Sequence, residues 1–163
     1  MARKIALADA SPLIGLARIG GLAWLRKLYR TVWVTPVVRA EISRRGRPGE
    51  VELAAALKAG WIRLLDTEPD EFQLPRLGAG EASILRAAVA LGDRAIVILD
   101  DFAARREARR LGVGFIGTAG VIVEARRAGL IAKARPVFER LSAQGFHLSA
   151  DIVEAILEEL GES

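Results

Sequence analysis

Two aspartates in this chain each close a short apolar run: Asp9 after Ile5 to Ala8, and Asp100, with Asp101 beside it, after Ala95 to Leu99. Runs of that kind read as strands buried on both faces, as in a parallel sheet. Ligands of open parallel sheets bind beyond the carboxyl ends of the strands, so both acids project at the edge where a site belongs. Two more acids can reach that edge. Glu41 lies a turn and a half into the helix begun at Pro36, and Glu81 sits in the first turn of a helix introduced by Gly78-Ala79-Gly80. Four carboxylates in one cleft repel one another unless protons or cations intervene. One or two Mg²⁺ or Mn²⁺ ions resolve that repulsion, and a pair of such ions about 3.5–4 Å apart is a known device for in-line phosphodiester hydrolysis.

Each acid also has a plainer role open to it. Asp9 can cap the helix begun by Pro12, Glu41 can be a solvated helix residue, and Glu81 can complement a helix dipole. One of Asp100 and Asp101 can be an N-cap. Composition narrows the chemistry. The chain has no cysteine and a single histidine, His147, which removes disulfides, thiolate nucleophiles and zinc-finger sites. A metal here must be held by oxygen, which favours Mg²⁺ or Mn²⁺ over Zn²⁺. Ser11 has no histidine near it in sequence for a triad. Gly114-x-x-Gly117-x-x-Gly120 lacks dinucleotide-binding spacing, and Trp24, Trp33 and Trp61 are spaced as core or interface residues.

The elements that must carry these residues alternate. Strands are expected at 5–8, 31–35, 61–65, 95–99 and 113–116. Helices are expected from Pro12 to Ile19, from Leu22 to Tyr29, from Pro36, from Glu50 to Ala59, and from the 78–80 glycines to Gly92. Further helices run from Asp101 to Leu111, Thr118 to Arg127, Lys133 to Gln144 and Ser149 to Leu160. Asp66 to Leu77 reads as a surface loop. This pattern defines an α/β fold with a mainly parallel central sheet, in one domain of 163 residues with 52 % apolar residues for its core. No apolar run reaches the ~20 residues of a membrane helix, and the early Asp9 interrupts any signal-peptide core; a cytoplasmic protein without a membrane partner is expected. The net charge is +4, carried mostly by Arg, which suits a polyanion and equally suits plain solvation.

The motifs together resemble the PIN-domain family. Asp9-Ala10-Ser11-Pro12-Leu13-Ile14 is similar to its Asp-x-Ser/Thr opening, and Pro36-x-Val38-x-x-Glu41 to its second acidic motif. Leu77-Gly78-x-Gly80-Glu81-Ala82 and Leu99-Asp100-Asp101-x-Ala103-Ala104-Arg105 resemble the third and fourth. The likeness runs over roughly residues 4 to 160 and includes Leu111-Gly112, Gly117-Thr118-x-Gly120 and Ala125 to Ile131. It is nearest to a prokaryotic group of predicted nucleic-acid-binding PIN proteins, and more broadly to VapC-type toxins, whose third acid is usually Asp where this chain has Glu81. The resemblance implies a three-layer α/β/α fold and a Mg²⁺- or Mn²⁺-dependent ribonuclease. It implies that Asp9, Glu41, Glu81 and Asp100 hold metal, with Asp101 the alternative fourth acid, and that Ser11 and Thr118 support them. RNA is the implied partner, together with a homodimer and, for a toxin, a small antitoxin protein; a PIN-like module that binds without cutting is the rival. Arg105, nearest the acids, and the loop residues Arg44 and Arg45, with Arg47, are candidate phosphate contacts. Arg109 and Arg110 read as a solvated face paired with Glu107.

Overall fold

The computed structural model describes residues 3–44, 46, 49–66 and 72–162. Among these, five strands and nine α-helices alternate. The chain runs β1 (Ile5–Ala8), α1 (Ala10–Arg18), α2 (Leu22–Leu28), β2 (Thr31–Val34), α3 (Pro36–Ile42), α4 (Glu50–Ala59) and β3 (Ile62–Leu64). It continues α5 (Ala79–Leu91), β4 (Ala95–Ile98), α6 (Phe102–Arg110), β5 (Phe115–Ile116), α7 (Thr118–Arg127), α8 (Arg135–Ala143) and α9 (Ala150–Glu159). The expected elements are present with shifted ends. Helix α1 starts two residues before Pro12, because a proline in the first turn lacks only an N–H that has no helical partner anyway. Thr35 leaves β2 to cap α3, its side chain accepting from Val38 N. Arg45 and Arg47, and residues 67–71 of the expected 66–77 loop, lie outside the described residues.

All strands are parallel, in the order β3-β2-β1-β4-β5. The central strand β1 is apolar on both faces and Ala6, Leu7 and Ala8 are fully buried, as a strand covered on two sides must be. The crossovers from β1 to β2 to β3 carry α1 to α4, and the return through α5 and α6 leads to β4 and β5, with helices covering both faces of the sheet in three layers. Helices α2 and α7 pack together, and α5 packs on β4 and α6. The chain leaves β1 in one direction and comes back to β4 on its other side, so the strand order reverses between β1 and β4. Crevices at such a switch point, outside the carboxyl strand ends, are where these sheets bind ligands. Register puts Ala8 beside Ile98, and Asp9 N donates to Ile98 O at 3.0 Å; the residues after both strands are therefore neighbours. No helix among the described residues is long and apolar enough to cross a membrane.

The last two helices are fastened by a carboxylate. Glu162, 7 % exposed, accepts from Ala134 N and Arg135 N at the start of α8 and pairs with Arg126 Nε at 2.9 Å. These bonds hold its carboxyl below the usual range against the opposing effect of burial. A carboxylate on free helix N–H groups is a favourable arrangement, and losing such charge-assisted bonds costs about 2 kcal/mol. Glu162→Ala is expected to lower the melting temperature by roughly 4–8 °C near neutral pH, and by much less in acid, where the wild-type carboxylate is itself protonated. Equal melting curves at neutral pH would contradict this role.

Candidate functional site

Asp9 occupies the N-cap position of α1 with extended backbone, yet its side chain makes no capping bond to the helix. Its carboxylate lines a cleft instead, with Ser11 of α1, Glu41 of α3 and Glu81 of α5. Burial lifts the Asp9 carboxyl to about 7 from 3.8, aided by Glu81, Glu41 and Asp100 and opposed by a hydrogen bond from Ala10 N. A shift of that size is worth on the order of 4 kcal/mol against the ionised form. Glu81 is raised as well, first by burial and then by Asp101 and Glu41, while its bond from Gly78 N at 2.9 Å pulls the other way. That bond is half of a capping box; the cap residue is glycine and has no side chain to complete it.

Asp100 and Asp101 part company. Asp100 turns to the start of α7, where Oδ1 accepts from Thr118 N at 2.8 Å and Oδ2 from Thr118 Oγ1 at 2.6 Å. Asp101 caps α6, Oδ2 accepting from Ala104 N at 2.9 Å. Thr118, buried, thus fixes both oxygens of Asp100.

Two glycines leave the space these acids occupy. A Cβ on Gly80 would stand 2.8 Å from Glu41 Oε1, and one on Gly117 would stand 2.9 Å from Asp100 Oδ1. Glu41 is brought there by a hydroxyl relay. Ser83 donates to Gly80 O at 2.7 Å, so the Thr35 hydroxyl must donate to Ser83, 2.6 Å away, while it accepts from Val38 N. The start of α3 is thereby tied to α5. Arg105 lies against the Asp100 side of this arrangement: its Nη2 would be 3.4 Å from a Gly117 Cβ. Its guanidinium stacks on Phe115 and its buried Nε has no hydrogen-bond partner among the described residues. Arg109 stacks on the same ring, and Arg110 pairs with Glu107 at 2.8 Å. Arg44 is exposed.

The donors are all carboxylate oxygens and the two glycine cradles hold carboxylates, which fits a hard divalent cation. As the side chains lie, no three His, Cys, Asp or Glu among the described residues stand close enough together to hold one ion. Closing on a cation therefore requires the long arms of Glu41 and Glu81 to change rotamer. The sequence pattern did not single out Arg18, Phe146, Thr35 or Ser83. Arg18 shares a helical face with Ser11 at i+7 and was legible in principle; the others reach the site only through tertiary packing.

An open parallel α/β sheet with acids gathered at its switch point is the frame of a PIN-type nuclease fold. The chain belongs to the PIN-domain family, whose model matches residues 5–162. A comparison with curated proteins finds no match. Among solved structures it is similar to a PilT N-terminus domain protein from the hyperthermophilic archaeon Sulfolobus solfataricus, at 20 % identity and TM-score 0.59 over 74 % of this chain and 92 % of that one. This likeness shows the fold.

Because the folded state raises the Asp9 pKa, the native metal-free protein binds more protons than the unfolded chain between about pH 4 and about pH 7. Its stability must fall as pH rises through that window. In EDTA, Asp9→Asn is expected to flatten this dependence and to melt roughly 5 °C or more above wild type at about pH 8. A variant that melts at or below wild type there would contradict the cost of holding Asp9 ionised in this buried, acidic position.

Proposed function

We propose that this protein is a Mg²⁺- or Mn²⁺-dependent endoribonuclease. The observation that carries the reading is the convergence of Asp9, Glu41 and Glu81 on one cleft, with Asp100 beside it, where burial first and these neighbours second lift Asp9 to about 7. A bound divalent ion would offset this repulsion and polarise both the phosphate and the attacking water. Asp9, ionised once a cation balances its neighbours, and Asp100, oriented by Thr118, form the rigid side of the site. Glu41 and Glu81 close from the facing helices. Ser11 at the rim contributes a hydroxyl, and Arg105, beside Asp100, meets a flanking phosphate. Arg44 and Arg45 are proposed as further contacts along the RNA. On the same reading the protein acts as a cytoplasmic homodimer and, as the toxin of a toxin–antitoxin pair, is restrained by a small antitoxin protein; the motif likeness to VapC-type toxins supports this.

A second reading, a PIN module that binds RNA or a partner without cutting, is favoured by the spread of the side chains, no three of which could hold an ion as they lie. Labelled single-stranded RNA separates the two. The nuclease reading expects cleavage in Mn²⁺, none in EDTA, and a rate lower by about 100-fold or more in Asp9→Asn. Metal-independent cleavage, or cleavage unchanged in Asp9→Asn, would refute it. Glu41→Gln probes the adjustable half of the site, since it keeps the side chain's shape and removes its charge. Titration calorimetry is expected to show Mn²⁺ affinity reduced roughly 10- to 100-fold. Unchanged Mn²⁺ affinity would take Glu41 out of the ligand set.

A further inference from the structure

The cleft continues beyond the acids. It encloses about 450 Å³, and the end away from the carboxylates is walled by Ile14, Gly15 and Arg18 of α1 and by Leu141, Gln144 and Phe146 at the end of α8. None of these six is acidic. A hydrated cation gains nothing from the Ile14, Leu141 and Phe146 side chains at this end, whereas apolar and aromatic groups beside a few placed polar ones suit a nucleoside. Two details make this wall a built one. The Phe146 ring lies against α1 at Gly15, 3.5 Å from where a Cβ there would stand, an ordinary packing distance that seats the ring on the helix. Arg18 Nη1 donates to Gln144 O at 3.3 Å, which ties the two walls and leaves the remaining guanidinium N–H groups free to face an anion. Ser11, Ile14, Gly15 and Arg18 fall on one helical stripe. It leads from the acid end to the cation over about 10 Å of helix axis.

We propose that this end of the cleft is a nucleoside subsite for single-stranded nucleic acid. The base next to the reacting phosphate stacks on Phe146 against Ile14, and Arg18 takes the adjoining phosphate. A single strand is required because a base must leave its duplex stack to reach the ring. A polyanion is favoured because its phosphates suit both ends of the cleft: a cation held by the acids at one, Arg18 at the other. The proposal rests on the nuclease reading for its substrate class, and binding tests it apart from cleavage.

The test uses the whole protein in Ca²⁺, with labelled single-stranded RNA followed by fluorescence anisotropy. Phe146→Leu keeps apolar bulk and removes the π-face; it is expected to weaken binding roughly 5- to 100-fold, while Phe146→Tyr stays within about twofold of wild type. Arg18→Gln, at an exposed position, is expected to reduce the slope of log affinity against log salt by about 0.7. Calorimetric Ca²⁺ affinity should be unchanged in both. RNA affinity and salt slope equal to wild type in Phe146→Leu and Arg18→Gln would overturn the subsite and assign this wall to a protein partner or to packing. RNA bound as expected but never cut in Mn²⁺ would sink the nuclease reading and leave the subsite standing.

Discussion

A carboxylate buried at the edge of a parallel sheet among other acids opposes folding, and the pairing of β1 with β4 fixes Asp9 in that position. The Asp9 N–H is bonded to Ile98 O, so the residue cannot swing out to water, and burial, more than its acidic neighbours, makes its charge costly. The cost of ionising Asp9 there, on the order of 4 kcal/mol, must be offset by the same elements that impose it. They have the means. Leu7, Leu13, Leu16, Ile98 and Leu99 are fully buried around the strand ends, and each such side chain contributes about 1.5–3 kcal/mol. Two or three of them cover the electrostatic penalty. The core beneath the site is thus a condition for the site.

The four acids are not held alike. Asp9 and Asp100 ride on strand ends, and Asp100 is further fixed at both oxygens by Thr118. Glu41 and Glu81 stand on helices at the ends of longer side chains, one lying over Gly80 and the other drawn back to Gly78 N. A site with one rigid and one adjustable half can hold its acids apart while unliganded and gather them around a charge. The hydroxyl relay from Thr35 through Ser83 to Gly80 O sets where the adjustable half starts from, because it fixes α3 against α5.

What was legible in the sequence follows this division. Asp9 and Asp100 could be read because a wholly apolar run closed by an acid is a local pattern, and the switch-point rule gives such residues a place. Between Asp100 and Asp101 the strand end favours Asp100 without settling the choice; what distinguishes their surroundings is Thr118, 18 residues on, whose approach depends on β5 packing beside β4. The Thr35–Ser83 bond spans 48 residues and the Arg18–Gln144 bond spans 126; neither leaves a periodic trace. Helix ends moved by a residue or two for local reasons, as where α1 starts ahead of Pro12. Phe146 carried no signal, since an aromatic after a helix is most often core, and its packing against Gly15 exists only once α8 is laid beside α1.

The charge distribution constrains what can occupy the cleft. The chain is basic, at +4, yet its cleft gathers carboxylates at one end. A phosphate approaching Asp9 without a cation present meets repulsion from several acids at close range, and surface Arg residues, screened within about 8–10 Å in physiological salt, cannot cancel it there. Arg105 and Arg18 stand at opposite margins of the acid group, one stacked on Phe115 beside Asp100 and the other at the far end of α1. Each can hold a phosphate that flanks the centre but not one at it. On the proposed function, a nucleic acid would meet two anchoring points that tolerate it and a middle that excludes it until positive charge arrives. The proposed nuclease would then bind its cation first and its polyanion second, with the protonation of Asp9 competing against the first of these.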